Sequence, residues 1–361
     1  MAVPVVVFVA VFVALVLRQL RWVIPFLKGA RHFYKGDFDR AKSHYQDALQ
    51  AIKRLELREG SPRALVLSRL AGTYLLSADY DKAETATKEA LAIREQKFGS
   101  EHVDVAGCLN NLGMHGVSLG NYPEADAFFT RARDILEKSL KPGHAMLGIM
   151  QINFAYLRIH QGRFAEAEQH ALAGKAAFEK RSKRYGLCLA GAMTNLGVIY
   201  RKQDRLGEAD AAYSLAEAHM VKAGGPDHPF LSKVFCGLAN VRLAQNNLAE
   251  AKELAKRARA RAEETWGPDH PEVADSMHVL ANICKTEGKH AEAESLYREC
   301  LRIREKILGA EHPDVVESLD AYADLLRRMG RESEAVEMIA RARAIPLWSA
   351  APEQAVSQPL P

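Results

Sequence analysis

The sequence predicts an all-α protein: a solenoid of about eight stacked helix-turn-helix repeats behind an N-terminal transmembrane helix. Three observations predict it. Ala41, Ala83, Ala125, Ala167, Ala209, Ala251, Ala293 and Ala335 fall 42 residues apart with no insertion. A histidine keeps the same step at His102, His144, His228, His270 and His312, with Gly60 and Gly186 in the two remaining slots. Residues Met1 to Leu17 carry no charged side chain at all. A fixed step of this length marks a stacked array rather than one globular core.

Taken in order, the chain starts with the expected anchor, residues 1–21. Its apolar run makes roughly 25 Å of helix against a hydrocarbon core of ~30 Å. Leu20, Trp22 and Val23 extend it if Arg18 snorkels to the headgroups. The alternatives are a cleaved signal peptide and a buried first helix, the latter disfavoured because a helix apolar all round needs lipid or a large core. Against cleavage, no Lys or Arg precedes the run, and it ends Ala14-Leu15-Val16-Leu17 without a small-x-small cleavage site. Arg18, Arg21, Lys28, Arg31 and Lys35 all follow it, which predicts a single-pass protein with its repeats on the cytoplasmic side.

Residues 22–345 are expected to hold eight 42-residue units. In the clearest one, helix A runs from about Pro271 to Glu287. Proline suits a first turn, whose N–H has no helical partner. Gly288 takes the C-terminal cap, where a left-handed backbone favours glycine. Its counterparts are Gly36, Ala78, Gly120, Gly162, Asp204, Asn246 and Gly330, with Ala78 the misfit. Helix B starts near Ala291 and continues to about Ile307. Small residues recur where the two helices must approach: Gly29, Ala71, Gly113, Ala155, Gly197, Ala239, Ala281 and Ala323 in helix A, and the eight alanines in helix B. A methyl or a hydrogen there lets the axes come near the low end of the 8–10 Å range. Residues 346–361, with Pro346, Pro352, Pro359 and Pro361, read as a disordered tail.

Small residues at these places, with Tyr45, Phe129, Tyr213 or Tyr297 four residues after the helix B alanine, resemble the tetratricopeptide repeat. The loop Gly267-Pro268-Asp269-His270-Pro271-Glu272-Val273-Ala274 and the 42-residue step are similar to the kinesin-light-chain subclass. The resemblance implies a right-handed solenoid whose helices A line a concave, protein-binding face. The coiled coil of kinesin light chains has no counterpart here.

Composition excludes several classes. Hydrophobic content of 48% with 26% charge is that of a folded protein, and a net charge of +4 does not call for nucleic acid. Cys108, Cys188, Cys236, Cys284 and Cys300 include no CxxC pair, which suits a reducing compartment. No phosphate loop, dinucleotide fingerprint, HExxH or nucleophile elbow is present, so neither catalysis nor a cofactor is expected. The histidines, one step apart in equivalent loops, read as structural rather than as ligands of one metal.

The candidate peptide-binding residues lie on helices A. Asn111, Asn153 and Asn195 share one repeat phase, and Asn240 and Asn282 share another three residues later. Asparagine is a mediocre helix former, so its recurrence in mid-helix needs a reason. Two readings stand: amides that pair with an extended peptide, or a ladder that bonds the backbone of neighbouring units. Arg201 and Lys202 fall near the same face, as do Arg69, Lys285, Arg327 and Arg328, and Tyr156 and His160 add rings. Lys252, Lys256, Arg257, Arg259 and Arg261 read as a solvated outer face. The expected function is a membrane-anchored, cytoplasm-facing scaffold or adaptor binding protein or peptide partners through its concave face. The alternative is a structural assembly factor of a membrane complex with no peptide in the groove.

Overall fold

The structure, a computed structural model, describes residues 19–55 and 60–345. Its helices follow one another in pairs: α1 (19–34), α2 (Phe38–Arg54), α3 (Gly60–Leu76), α4 (Tyr80–Phe98), α5 (Val103–Ser118), α6 (Tyr122–Ser139), α7 (Ala145–His160) and α8 (Phe164–Glu179). Then come α9 (Ser182–Lys202), α10 (Leu206–Gly224), α11 (Leu231–Ala244), α12 (Leu248–Trp266), α13 (Pro271–Thr286), α14 (His290–Leu308), α15 (Pro313–Arg328) and α16 (Glu332–Ala344). The fold is an all-α solenoid of helix pairs. It divides into two compact units, Met1–His115 and Gly116–Pro361.

The turn inside each pair is set by one residue. Gly36, Ala78, Gly120, Gly162, Asp204, Asn246, Gly288 and Gly330 all have positive φ, between 56° and 78°. Ala78 adopts the same conformation at φ 56° although its Cβ disfavours it. The pairing of α3 with α4 overrides the local preference. Histidines start the next pair. His144, His270 and His312 are helix N-caps whose Nδ1 accepts from Met146 N at 3.3 Å, Glu272 N at 3.2 Å and Asp314 N at 3.1 Å. Each satisfies one orphan N–H of a first turn. These three imidazoles thus serve as helix caps, whereas His228 does not, the N-cap of α11 being Phe230. Where the His-Pro loop is missing, α9 starts early and kinks at Tyr185 (φ −122°, ψ 32°).

The helix B alanines Ala41, Ala83, Ala125, Ala167, Ala209, Ala251, Ala293 and Ala335 are all buried, none more than 3% exposed. Packing alternates in size. Tyr45, Phe129, Tyr213 and Tyr297 are fully buried, while the equivalent Thr87, Ala171 and Ala255 lie between them in the series. A Cβ on Gly29 would sit 2.8 Å from the ring of Tyr45, and one on Gly197 2.8 Å from that of Tyr213. Glycine faces a ring in those pairs; alanine faces alanine at Ala155 with Ala171 and at Ala239 with Ala255. Ion pairs follow the same double step. Arg158 grips Asp126 at 2.9 Å, and Arg242, 84 residues on, grips Asp210 at 2.8 Å.

The expected transmembrane helix at residues 1–21 is corrected. Among the described residues no helix is long and apolar enough to cross a membrane. Residues 1–18 lie outside the described residues. The described part opens α1, which carries Arg21, Lys28 and Arg31 and sets Trp22, Phe26 and Phe33 against Tyr45, Ala48 and Ile52 of the core. That apolar face is committed to protein, as the face of an amphipathic helix is. The single-pass placement with cytoplasmic repeats falls with it. The tail expected at 346–361 also lies outside the described residues.

Candidate functional site

The inner side of the second unit is made by odd-numbered helices. α7, α9, α11, α13 and α15 each touch the next, and the even-numbered helices make no comparable contacts with one another. Closer approach on one side places the odd-numbered helices inside the curve.

The asparagines divide by role. Asn111 Nδ2 donates to the Ser68 carbonyl at 3.1 Å, and Asn195 Nδ2 donates to the Ile152 carbonyl at 3.0 Å. Each acceptor lies 43 residues earlier in the chain, so these amides brace one repeat on the preceding one. Asn195 is buried, at 7% exposure, and Asn153 of the same phase is likewise engaged. The second phase differs. Asn282 Oδ1 accepts from the Tyr297 hydroxyl at 2.6 Å, which leaves its amide hydrogens uncommitted. Asn240 is half-buried and makes no side-chain hydrogen bond among the described residues.

Tyr156 lies edge-on to His160 with ring centres 4.6 Å apart, and the Lys233 ammonium sits 5.8 Å from the Tyr156 ring centre. Arg201 is half-buried with its Nε lacking a partner. Lys202 is exposed, and its charge helps hold Glu317 ionised. Tyr156, Asn195, Arg201, Lys202, Asn240 and Asn282 thus sit on four consecutive inner helices of the second unit. Asn111 belongs to the first unit. The basic stretch on α12 is tied into ion pairs, as Lys252 with Glu287 at 3.1 Å and Arg261 with Asp227 at 2.8 Å.

Reading single motifs missed an ionic cluster on the same face. Lys233 Nζ meets Glu272 at 2.8 Å, and Arg304 meets Asp275 at 2.6 Å and Glu317 at 3.8 Å. The charge of Glu272 holds the Lys233 ammonium protonated. Burial pushes Asp275 up to about 6 and His278 down to about 4. Burial also works to raise Asp314 and Glu317, yet Arg304 and the neighbouring histidines prevail and both end below the usual carboxylate range. Still, Lys233, Asp275 and Glu317 keep 44%, 44% and 55% of their side-chain surface. The missed signal was periodic: Lys233, Asp275 and Glu317 are 42 residues apart, as are Glu272 and Asp314.

The buried histidines set an acid limit. Burial lowers His228 to about 4 and also lowers His160, His170, His278 and His312. A folded pKa below the unfolded ~6.5 means that stability is lost as pH falls from that value toward the folded one. For His228 the loss is about 2 kcal/mol by pH 5. Asp275, raised, works the other way between about 6 and 4, one group against five. The melting temperature should fall from pH 7 to pH 5, and His228→Gln should flatten the fall. An unchanged slope in that variant would show that His228 is free to protonate in the fold.

The tetratricopeptide repeat profile matches residues 27–96, 62–138, 104–180, 188–264, 236–306 and 272–346. No curated protein matches the chain. Among solved structures, a Rap protein complexed with Competence and Sporulation Factor is 13% identical over 90% of this chain and 97% of its own, with a TM-score of 0.63. The apo form of RapI is 17% identical over 79% of this chain and 98% of its own, with a TM-score of 0.56. A putative kinesin light chain with TPR-like repeats from Podosopora anserina is 25% identical over 56% of this chain and 95% of its own, with a TM-score of 0.43. Repeats of this kind make protein-binding scaffolds, and their profile covers nearly the whole described chain: this protein belongs to the tetratricopeptide repeat family.

Proposed function

We propose that the protein is a scaffold that holds an extended peptide segment of a partner protein on the inner side of its second unit. The observation that carries this is the pair Asn240 and Asn282. They are one repeat apart on adjacent inner helices, and both have amide hydrogens uncommitted to the fold. Helices spaced 8–10 Å apart match about three residues of extended chain at ~3.3 Å each. Amides on adjacent inner helices can therefore meet every third peptide group of one strand. Tyr156 and Lys202 lie on the helices that continue the row. The Rap protein solved with its factor lends support by fold alone.

The test uses the full chain and peptides selected on it from a random displayed library. Asn240→Ala and Asn282→Ala should each weaken the selected peptides by roughly fivefold, on the order of 1 kcal/mol. Asn240→Ala should leave the melting temperature unchanged, whereas Asn282→Ala should also lower it, because the buried Tyr297 hydroxyl loses its acceptor. Asn195→Ala should lower the melting temperature without weakening the peptides, because its amide braces α9 on α7. A double variant that stays folded and binds every selected peptide as tightly as the parent would end the proposal.

A further inference from the structure

Within the second unit, two places far apart in sequence meet. The turn after α5 packs on the loop that enters α15. A Cβ added at Gly120 would lie 2.6 Å from Pro313 Cδ, 3.1 Å from Pro313 Cγ and 3.5 Å from His312 Cδ2. Ring and glycine are therefore in close contact across 193 residues (313 − 120). His312 is 5% exposed, and the Ser118 main-chain oxygen acts on its ring. The seam continues inward. Tyr122, also 5% exposed, and His160 both feel the charge of Asp314, and Lys202 feels that of Glu317.

The ends that meet are complementary. α5 presents its C-terminus, where unpaired carbonyls leave a partial negative charge. α15 presents its N-terminus, where unpaired N–H groups leave a partial positive one. Beside this contact, His160 and Lys202 stand in the last turns of α7 and α9, and Asp314 and Glu317 in the first two turns of α15. Two features show close fit rather than chance proximity. The equivalent glycines Gly162 and Gly330 have nothing within 4 Å of an added Cβ, whereas Gly120 is filled by the proline ring. Pro271, one repeat before Pro313, occupies the same first-turn position without such a partner glycine.

We propose that the Ser118–Gly120 turn and the His312–Pro313 loop form a latch that closes the inner side of the second unit into a bore. A ligand held there enters and leaves when the latch opens. This rests on the peptide reading above for the ligand, and on the Gly120–Pro313 contact alone for the latch.

Two variants loosen the contact in opposite ways. Gly120→Ala drives a methyl against the ring, and Pro313→Ala removes the ring. Gly162→Ala and Gly330→Ala carry the same backbone strain, at φ +72° and +74° against +74° for Gly120, without the clash. Pro271→Ala is the control for the proline. Hydrogen exchange of the full chain is read at the first-turn amides of α15, and association and dissociation rates are measured for library-selected peptides. The latch predicts at least tenfold faster exchange at residues 314–318 in both latch variants than in their controls, and several-fold faster peptide association and dissociation. Exchange equal to the controls in both variants overturns the latch. Fast exchange with unchanged peptide rates overturns its gating role while leaving peptide binding intact. If no peptide is selected, the reading of a peptide scaffold fails and exchange alone decides the latch.

Discussion

Arg304→Ala should unfold at a markedly lower urea concentration, with a loss of about 3–5 kcal/mol, the range for removing one partner of a buried charged network. The side chain is 4% exposed and joins three helices. From α14 it donates to Asp275 on α13 at 2.6 Å, and to the Asp314 carbonyl at 2.7 Å and the Ser318 hydroxyl at 2.6 Å on α15. The neighbouring repeats show what else fits. Leu136, Phe178, Met220 and Ala262 hold the same phase and are all buried. Arg304→Met should therefore recover about half of the loss by restoring volume. It also removes the cation nearest Asp275, so that carboxyl should titrate still higher than about 6. An acid raised in the fold loses stability as pH rises through its folded pKa, so the Met variant should gain relative to the parent on going from pH 7 to pH 5. Urea midpoints at the two pH values check both statements. A Met variant with the parent's pH dependence would mean that Arg304 does not control Asp275.

That arginine shows what the sequence reveals and what it hides. The array was legible because alanine at Ala293 and its seven counterparts, and glycine or a substitute at the Gly288 phase, answer to local geometry that repeats in every unit. Arg304 was not. In a phase filled mostly by residues such as Leu136, Phe178 or Met220, an arginine reads as a surface residue, since the groups that satisfy it lie on other helices. Arg94, five repeats earlier, makes the same contacts: the Asp104 carbonyl at 2.8 Å and Cys108 Sγ at 3.1 Å. Cys108 and Ser318 are also 210 residues apart, so the recurrence was present in the sequence without a geometry to give it meaning.

The asparagines divide on the same principle. At Asn111 and Asn195 the phase turns the amide toward the preceding helix A, and a backbone carbonyl is always there to accept. Three residues on, at Asn240 and Asn282, the phase turns away from that carbonyl. Residue type cannot separate the two roles; phase relative to the neighbouring helix can. The N-terminal segment failed for a different reason. The apolar run of Met1 to Leu17 was read together with Trp22 and Val23, whereas the packing of Trp22, Phe26 and Phe33 on α2 assigns those positions to the first helix pair.

The alternation of ring and alanine supplies the second large effect. Tyr213 is 1% exposed and is pinched from two sides. An added Cβ on Gly197 would lie 2.8 Å from its ring, and one on Gly237 only 2.3 Å from Cε1 and Cζ. Gly197→Ala gains about 1 kcal/mol of helix propensity. Against that, the ring cannot retreat, and overpacking costs about 1–3 kcal/mol. Tyr213→Ala alone should cost about 3–5 kcal/mol through the cavity it leaves. The double variant reproduces the alanine pairs of Ala155 with Ala171 and Ala239 with Ala255. It should then be no less stable than Tyr213→Ala, because the new methyl meets no ring and the helix propensity is kept. The double-mutant cycle should therefore give a coupling of about 1–3 kcal/mol in favour of the pair, within the range for residues in contact. Strict additivity would mean that Tyr213 moves aside without strain, and that the size alternation along the array is not what packs α9 against α10.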